Sequence, residues 1–235
     1  MLELACVTVH TVNSRTPKVE TRRSGSRRRD EGQSREERKE ATRRAIITAA
    51  LALLQERSFS SLSLREVTRE AGIAPTAFYR HFESMEALGL VLIDESFRTL
   101  REMLRGARTG KLDPNRVIES SVDILIASVS EQREHWRLIE RERNSGLSVV
   151  RYAIRTEIRL ITSELATDLA RFPAMSAWST EDLYVLASLY VNSMIGIAES
   201  IEDSQSPETA TEVRTKAIKQ LRMIAVGVTG WHSTN

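Results

Sequence analysis

Cysteine occurs once in 235 residues, at Cys6. A lone thiol excludes an intrachain disulfide and a cysteine-based zinc site. His10, His81, His135 and His232 are scattered and form no His-Glu-x-x-His pairing, so no metalloprotease-type site is written into the chain. Five prolines and ten glycines leave few breakers. No run alternates Val, Thr and aromatics between turn signals, which argues against a sheet. Neither a nucleophile elbow, a phosphate loop nor a Cys–His arrangement is present. The chain is therefore expected to have no catalytic residues, no metal site, no cofactor and no enzymatic role. Its most apolar window, Leu183 to Ala198, is interrupted by Ser188, Asn192 and Ser193, too short and too polar to span a bilayer. Glu3 stands where a signal peptide carries basic residues. The expected location is the cytoplasm, with no membrane partner.

What the chain does have is helix-forming sequence. Hydrophobic residues make up 41% and charged residues 28%, the balance of a globular domain. Long Leu, Ala, Glu and Arg-rich segments predict an all-α fold. Net charge is only +2, but residues 14–29 hold seven Lys or Arg against Glu20 alone. That local excess points to a polyanion near the N-terminus. Residues 1–33 show neither helical nor strand period and read as a separate, disordered basic tail. Such an arm adds phosphate contacts by counterion release; a solvated tail, or a start site upstream of the true one, is the alternative.

Ser34 with Glu37 is a capping box that opens the first helix, whose apolar stripe is Ile46, Ala49, Ala50, Leu53 and Leu54. Ser63 with Glu66 is a second box. Leu64, Val67 and Ala71 then share one face. Gly72 suits a helix end, and Pro75 suits the first turn of the next helix. Phe78 and Phe82, four apart, form the buried face of that short helix. Thr76, Ala77, Tyr79, Arg80 and His81 are left facing outward. Hydroxyls, a guanidinium and an imidazole on a short helix suit a major groove and its phosphates. Thr76 and Ala77, small and at the entering end, can approach a thymine methyl. Arg80 can fork onto a base edge or a phosphate. His81 serves either a phosphate or the packing of the three-helix unit. Helix–turn–helix pairs also occur without any nucleic-acid role, so spacing alone leaves both readings open. Ser63 caps its helix, and with Arg65 the same helix end can hold a phosphate.

The segment from Leu64 to Phe82, a helix ending in Ala-Gly and a short helix ending in Phe-Tyr-Arg-His-Phe, resembles the signature of TetR-family transcriptional repressors. The longer run from Arg57-Ser58-Phe59 through Gly72-Ile73-Ala74-Pro75-Thr76 to Asp94-Glu95-Ser96 is similar to the FabR/DesT-like repressors of unsaturated-fatty-acid synthesis. The family resemblance covers about residues 40 to 97 and implies several expectations. Residues 34–83 would be a helix–turn–helix DNA-binding domain and 84–235 a six-helix ligand-binding and dimerisation body. Tyr79 would bond an operator phosphate, and Thr42, Arg43 and Arg44 would touch the backbone from helix 1. The partners would be a double-stranded operator, a small-molecule effector and a second copy joined through the last two helices. In the fatty-acid subgroup the effector would be a long-chain acyl-CoA or a related fatty-acid derivative.

The body reads as helices at about 85–106, capped by Ser84, and at 114–129, 131–143, 147–171, 179–202 and 208–228. Arg141 and Arg143 are weak candidates for meeting an acyl-CoA phosphate or carboxylate, against a surface network of i,i+4 pairs. Tyr190 is a candidate for lining either a pocket or the dimer contact. A repressor of an efflux or catabolic gene that answers to a drug-like molecule is the alternative function.

Overall fold

A computed structural model describes residues 24–108, 116–144, 147–204 and 206–233. Among these residues the chain is helical, with nine α-helices. Two compact units are distinguished, Met1–Glu40 and Ala41–Asn235.

Helix α1 runs Ser24–Leu54. It begins ten residues before Ser34, so the expected disordered tail is revised for 24–33, and the Ser34 capping box is not where the helix starts; residues 1–23 lie outside those described. The run from Arg27 to Glu40 is rich in Arg and Glu, strong helix formers, and extending a helix costs far less than nucleating one.

A short 3-10 turn, Phe59–Ser61, leads to α2 (Leu64–Glu70). The capping box at Ser63 and Glu66 is present in both directions. Gly72 sits at φ 66°, the left-handed region that the tight turn requires. Helix α3 (Pro75–Phe78) is a single turn. It tightens at its end, where the N–H groups of Arg80 and His81 donate to the carbonyls of Ala77 and Phe78 at 3.2 and 2.8 Å. The expected helix over 75–82 is thus one α-helical turn followed by a tighter one.

Helix α4 (Met85–Arg108) follows the Ser84 cap, whose Oγ accepts from the Ala87 N–H at 3.2 Å. The expected Asp113-Pro114 start lies outside the described residues. The remaining helices are α5 (Val117–Glu131), α6 (Arg133–Asn144), α7 (Ser148–Leu169), α8 (Thr180–Glu202) and α9 (Pro207–Gly230). A second 3-10 turn, Pro173–Met175, separates α7 from α8.

One apolar core joins the first helices to the body. Ile46, Ala50, Leu54, Phe59, Val67, Phe78 and Phe82 pack in the same cluster as Leu88 and Leu92 of α4, Leu138 of α6 and Val150 and Ile154 of α7. A second cluster sets Val122, Leu125 and Val129 of α5 against Ile197, Ile201 and Leu221 of α8 and α9. Around it, Arg101 of α4 meets Glu157 of α7 at 2.5 Å, and Arg214 of α9 forks onto Asp123 of α5 at 2.6 and 3.0 Å.

Helix α8, at 23 residues, is longer than its apolar window and has the length and composition to cross a bilayer. Its apolar side chains divide between the core (Leu183, Leu186, Ala187, Val191) and an exposed set, Tyr184, Val185 and Leu189. A core helix with one outward apolar face passes the same composition test.

Candidate nucleic-acid interface

The exposed side of α3 is built by what its other side buries. Phe78 is fully buried and Phe82 nearly so. Their rings lie 5.5 Å apart, and Phe78 also meets Tyr79 edge-on at 5.7 Å. With those two rings inward, the helical period turns Thr76, Tyr79 and Arg80 to solvent. Tyr79 is 62% exposed, large for an aromatic anchored beside a core. Ala77 and His81 are half-buried at the edges of this face.

Arg44 is exposed on α1, and Thr42 and Arg43 are half-buried. The Arg43 guanidinium stands 5.0 Å from the centre of the Phe82 ring, a cation–π contact that ties α1 to the segment after α3. The family resemblance alone implies a phosphate contact for Arg43. Its stacking partner is far along the chain and carries no local signal.

At the start of α2, Glu66 accepts from the Ser63 N–H at 3.0 Å and the Ser63 hydroxyl at 2.7 Å. Its other oxygen accepts from both terminal nitrogens of Arg57 at 3.0 and 2.9 Å. The Ser63 hydroxyl and the Arg57 guanidinium hold the Glu66 carboxyl down at about 2, from an ordinary 4.5. The α2 N-terminus therefore carries a carboxylate of its own beside Ser63, while Arg65 is exposed on the same helix. Arg57, whose sequence position suggests only the end of helix 1, works as the clamp on this cap.

The weak ligand candidates fall in three places. Arg141 donates to the Leu54 carbonyl, at the end of α1, at 3.3 Å. Arg143 pairs with Glu199 of α8 at 2.7 Å. Tyr190 is half-buried between the second and third apolar clusters, and burial pushes its hydroxyl pKa up. The structure does not bring the three together. No group of three His, Cys, Asp or Glu suited to a metal occurs among the described residues.

Known proteins share this outline. Residues 46–90 match the family model for bacterial regulatory proteins, tetR family. A protein of Pseudomonas aeruginosa PAO1 described as a transcriptional regulator superposes with a TM-score of 0.65 at 14% identity, over 81% of this chain and 93% of that one. A TetR-family transcriptional regulator from Agrobacterium tumefaciens gives 0.61 at 15% identity, over 77% and 98%. A transcriptional regulator from Aquifex aeolicus VF5 gives 0.60 at 16% identity, over 78% and 99%. At these identities the likeness speaks for the fold. The family match spans the capped α2, the Gly72 turn, α3 and the start of α4, so residues 46–90 are similar to the corresponding segment of tetR-family regulatory proteins, and the chain shares the fold of the structures named.

Proposed function

We propose that the protein is a homodimeric transcriptional repressor of the cytoplasm that reads a near-palindromic operator through α3. The observation that carries this reading is the exposed set Thr76, Tyr79 and Arg80 on a turn whose Phe78 and Phe82 are locked in the core. In the proposal, residues 34–83 are the DNA-binding domain and 84–235 the ligand-binding and dimerisation body. Arg44, Thr42 and Arg65 grip phosphates in a sequence-independent way, and Thr76, Ala77 and Arg80 face base edges. His81 and Ser63 lie at the rim of that surface.

A head that inserts one short helix per half-site needs a second head about 34–36 Å away, or a multiple of that. The outward apolar residues Tyr184, Val185 and Leu189 on α8, and Met223 and Val226 on α9, support self-association through the last two helices. The effector in this reading is a long-chain acyl-CoA or related acyl thioester, and the controlled genes concern fatty-acid metabolism. The support is the resemblance over residues 40–97. The protein would act by binding alone, without a cofactor.

A mobility-shift assay against DNA upstream of its own gene tests the core of the reading. Salt-sensitive, saturable binding supports it; no binding at low salt overturns it. Mass spectrometry of the purified protein tests the effector. Co-purified acyl species support the lipid assignment, and cationic drug-like molecules alone would replace it with the efflux reading.

A further inference from the structure

Helix α3 cannot hold its own orientation. It is a single turn, Pro75–Phe78, and Ala74 gives its start no side-chain cap. A helix this short is not stable by itself in water, so the direction in which Thr76, Tyr79 and Arg80 point must be set from outside. Two rings do part of this. Phe78 is fully buried, and Phe82, at the end of the tighter turn that follows, is 4% exposed and lies 5.5 Å from it. The Arg43 guanidinium then stands over the Phe82 ring at 5.0 Å. From Arg43 the contacts run without a break through Phe82 and Phe78 to Tyr79, which Phe78 meets edge-on at 5.7 Å. Arg43 itself has a firm base: Ile46 and Ile47, one turn further along α1, are buried in the cluster that holds both rings. Its neighbour Arg44 is exposed, whereas Arg43 is half-buried.

From this arrangement we infer that Arg43 is a positioning residue for DNA recognition: its guanidinium holds the Phe82 end of the α3 turn, and so sets how Tyr79 and Arg80 are presented, in place of neutralising a phosphate. A cation over a ring face is held more strongly where water is partly excluded, and the half-buried setting provides that. The two adjacent arginines divide the work. Arg44 offers a solvent-facing charge to the DNA backbone, which adds affinity alike on every sequence. Arg43 adds affinity for the preferred operator only, because a turn already held in one orientation has less freedom to lose when it meets base edges. The inference rests on the reading of the protein as a DNA-binding regulator and deepens it, by naming a residue that sets specificity through another residue and not by touching DNA.

The test uses the full chain and two readouts. Hydrogen exchange of the free protein follows the amides of Arg80, His81 and Phe82, which donate to the carbonyls of Ala77, Phe78 and Phe78 at 3.2, 2.8 and 3.1 Å. In R43Q these amides should exchange about fivefold faster or more, while those of α2 keep the parent's protection. The second readout is titration, at several salt concentrations, with an operator selected from a random DNA pool and with an unrelated duplex. R43Q should lose about fivefold in operator affinity. It should keep the parent's affinity for the unrelated duplex and the parent's slope of log affinity against log salt. R44A should do the reverse, with unchanged exchange and a slope lower by about 0.9 for a phosphate no longer neutralised. F82L should show the R43Q pattern, and R43Q/F82L should lose no more than F82L does, because Arg43 acts through that ring. A lowered slope in R43Q with unchanged exchange would overturn the inference and return Arg43 to a phosphate. So would faster exchange spread evenly over α1, α2 and α3, which marks packing in general, or an R43Q chain with the parent's operator affinity. Should F82L not fold, R43Q alone decides by the same criteria. A parent chain that binds no DNA overturns the regulator reading; a parent that binds DNA and is matched by R43Q overturns only this inference.

Discussion

The Glu142 carboxylate, fully buried at the end of α6, accepts the backbone N–H of Phe59 at 2.8 Å across 83 positions of sequence. Phe59 belongs to the turn between α1 and α2, so this bond fixes that turn to α6. A buried N–H without a partner costs about 1–3 kcal/mol. Glu142→Ala should therefore lower stability by at least that amount, since it also leaves a void. Glu142→Gln keeps an acceptor oxygen and should lose less. Heat denaturation ranks the two variants, and amide exchange at Phe59 reports the bond directly: fast exchange is expected in Glu142→Ala only. Equal protection in both would mean that the bond does not hold the turn.

The same phenylalanine makes a glycine necessary on α4. A Cβ built at Gly89 would lie 2.8 Å from Phe59 Cζ, 3.0 Å from its Cε1 and 3.1 Å from Val150 Cγ2. Phe59 is 2% exposed and cannot swing away. Gly89→Ala should cost about 1–3 kcal/mol through overpacking, against the helix propensity that alanine would otherwise gain. For a chain of this length each kcal/mol lowers Tm by roughly 2–4 °C. Phe59→Leu should also destabilise, by loss of volume. Because the two residues share one space, the double variant should be more stable than the sum of the single losses implies. Strict additivity would show that α4 absorbs the methyl elsewhere.

Local and distant features differ in how far the sequence discloses them. The Ser63–Glu66 box, the Gly72 turn, Pro75 and the Phe78–Phe82 pair each act over a turn or less of chain, and pattern reading finds each of them. Glu142 with Phe59, Gly89 with Phe59, and Arg43 with Phe82 join elements far apart in the chain. Their residue types are ordinary until tertiary packing brings them together. The start of α1 is hidden for another reason. A charged segment without an apolar stripe reads as a solvated tail, yet helix formers attached to an established helix extend it cheaply.

The α2 cap predicts a pH dependence. The Glu66 carboxyl titrates at about 2 in the fold, below its ordinary 4.5, chiefly through the Ser63 hydroxyl and then Arg57. A depressed folded pKa means that the unfolded chain binds the proton more readily, so the stabilising effect is complete above about 4.5 and is lost as pH falls toward 2. Glu66→Gln lacks this charge-dependent part. Its Tm should lie below that of the parent at pH 7, and the gap should close across that acid window. A gap that stays constant from neutral pH down through the window would place the effect of Glu66 in packing and not in its charge.

The exposed face of α3 makes separate predictions for affinity and for sequence preference. Tyr79→Phe removes one hydroxyl from a ring already 62% exposed, so the fold should be unaffected while binding weakens alike on every DNA sequence. Arg44→Ala should do the same and should lower the slope of log affinity against log salt by about 0.9 for each phosphate that is no longer neutralised. Arg80→Ala, in contrast, should change which operator is preferred, because a guanidinium forked onto a base contributes about 1–3 kcal/mol of discrimination. Selection from a random DNA pool, followed by titration at two salt concentrations, measures all three quantities. An Arg80→Ala protein with the parent's affinity and the parent's preference would show that α3 does not read bases, and recognition would then have to be sought in another element of the head.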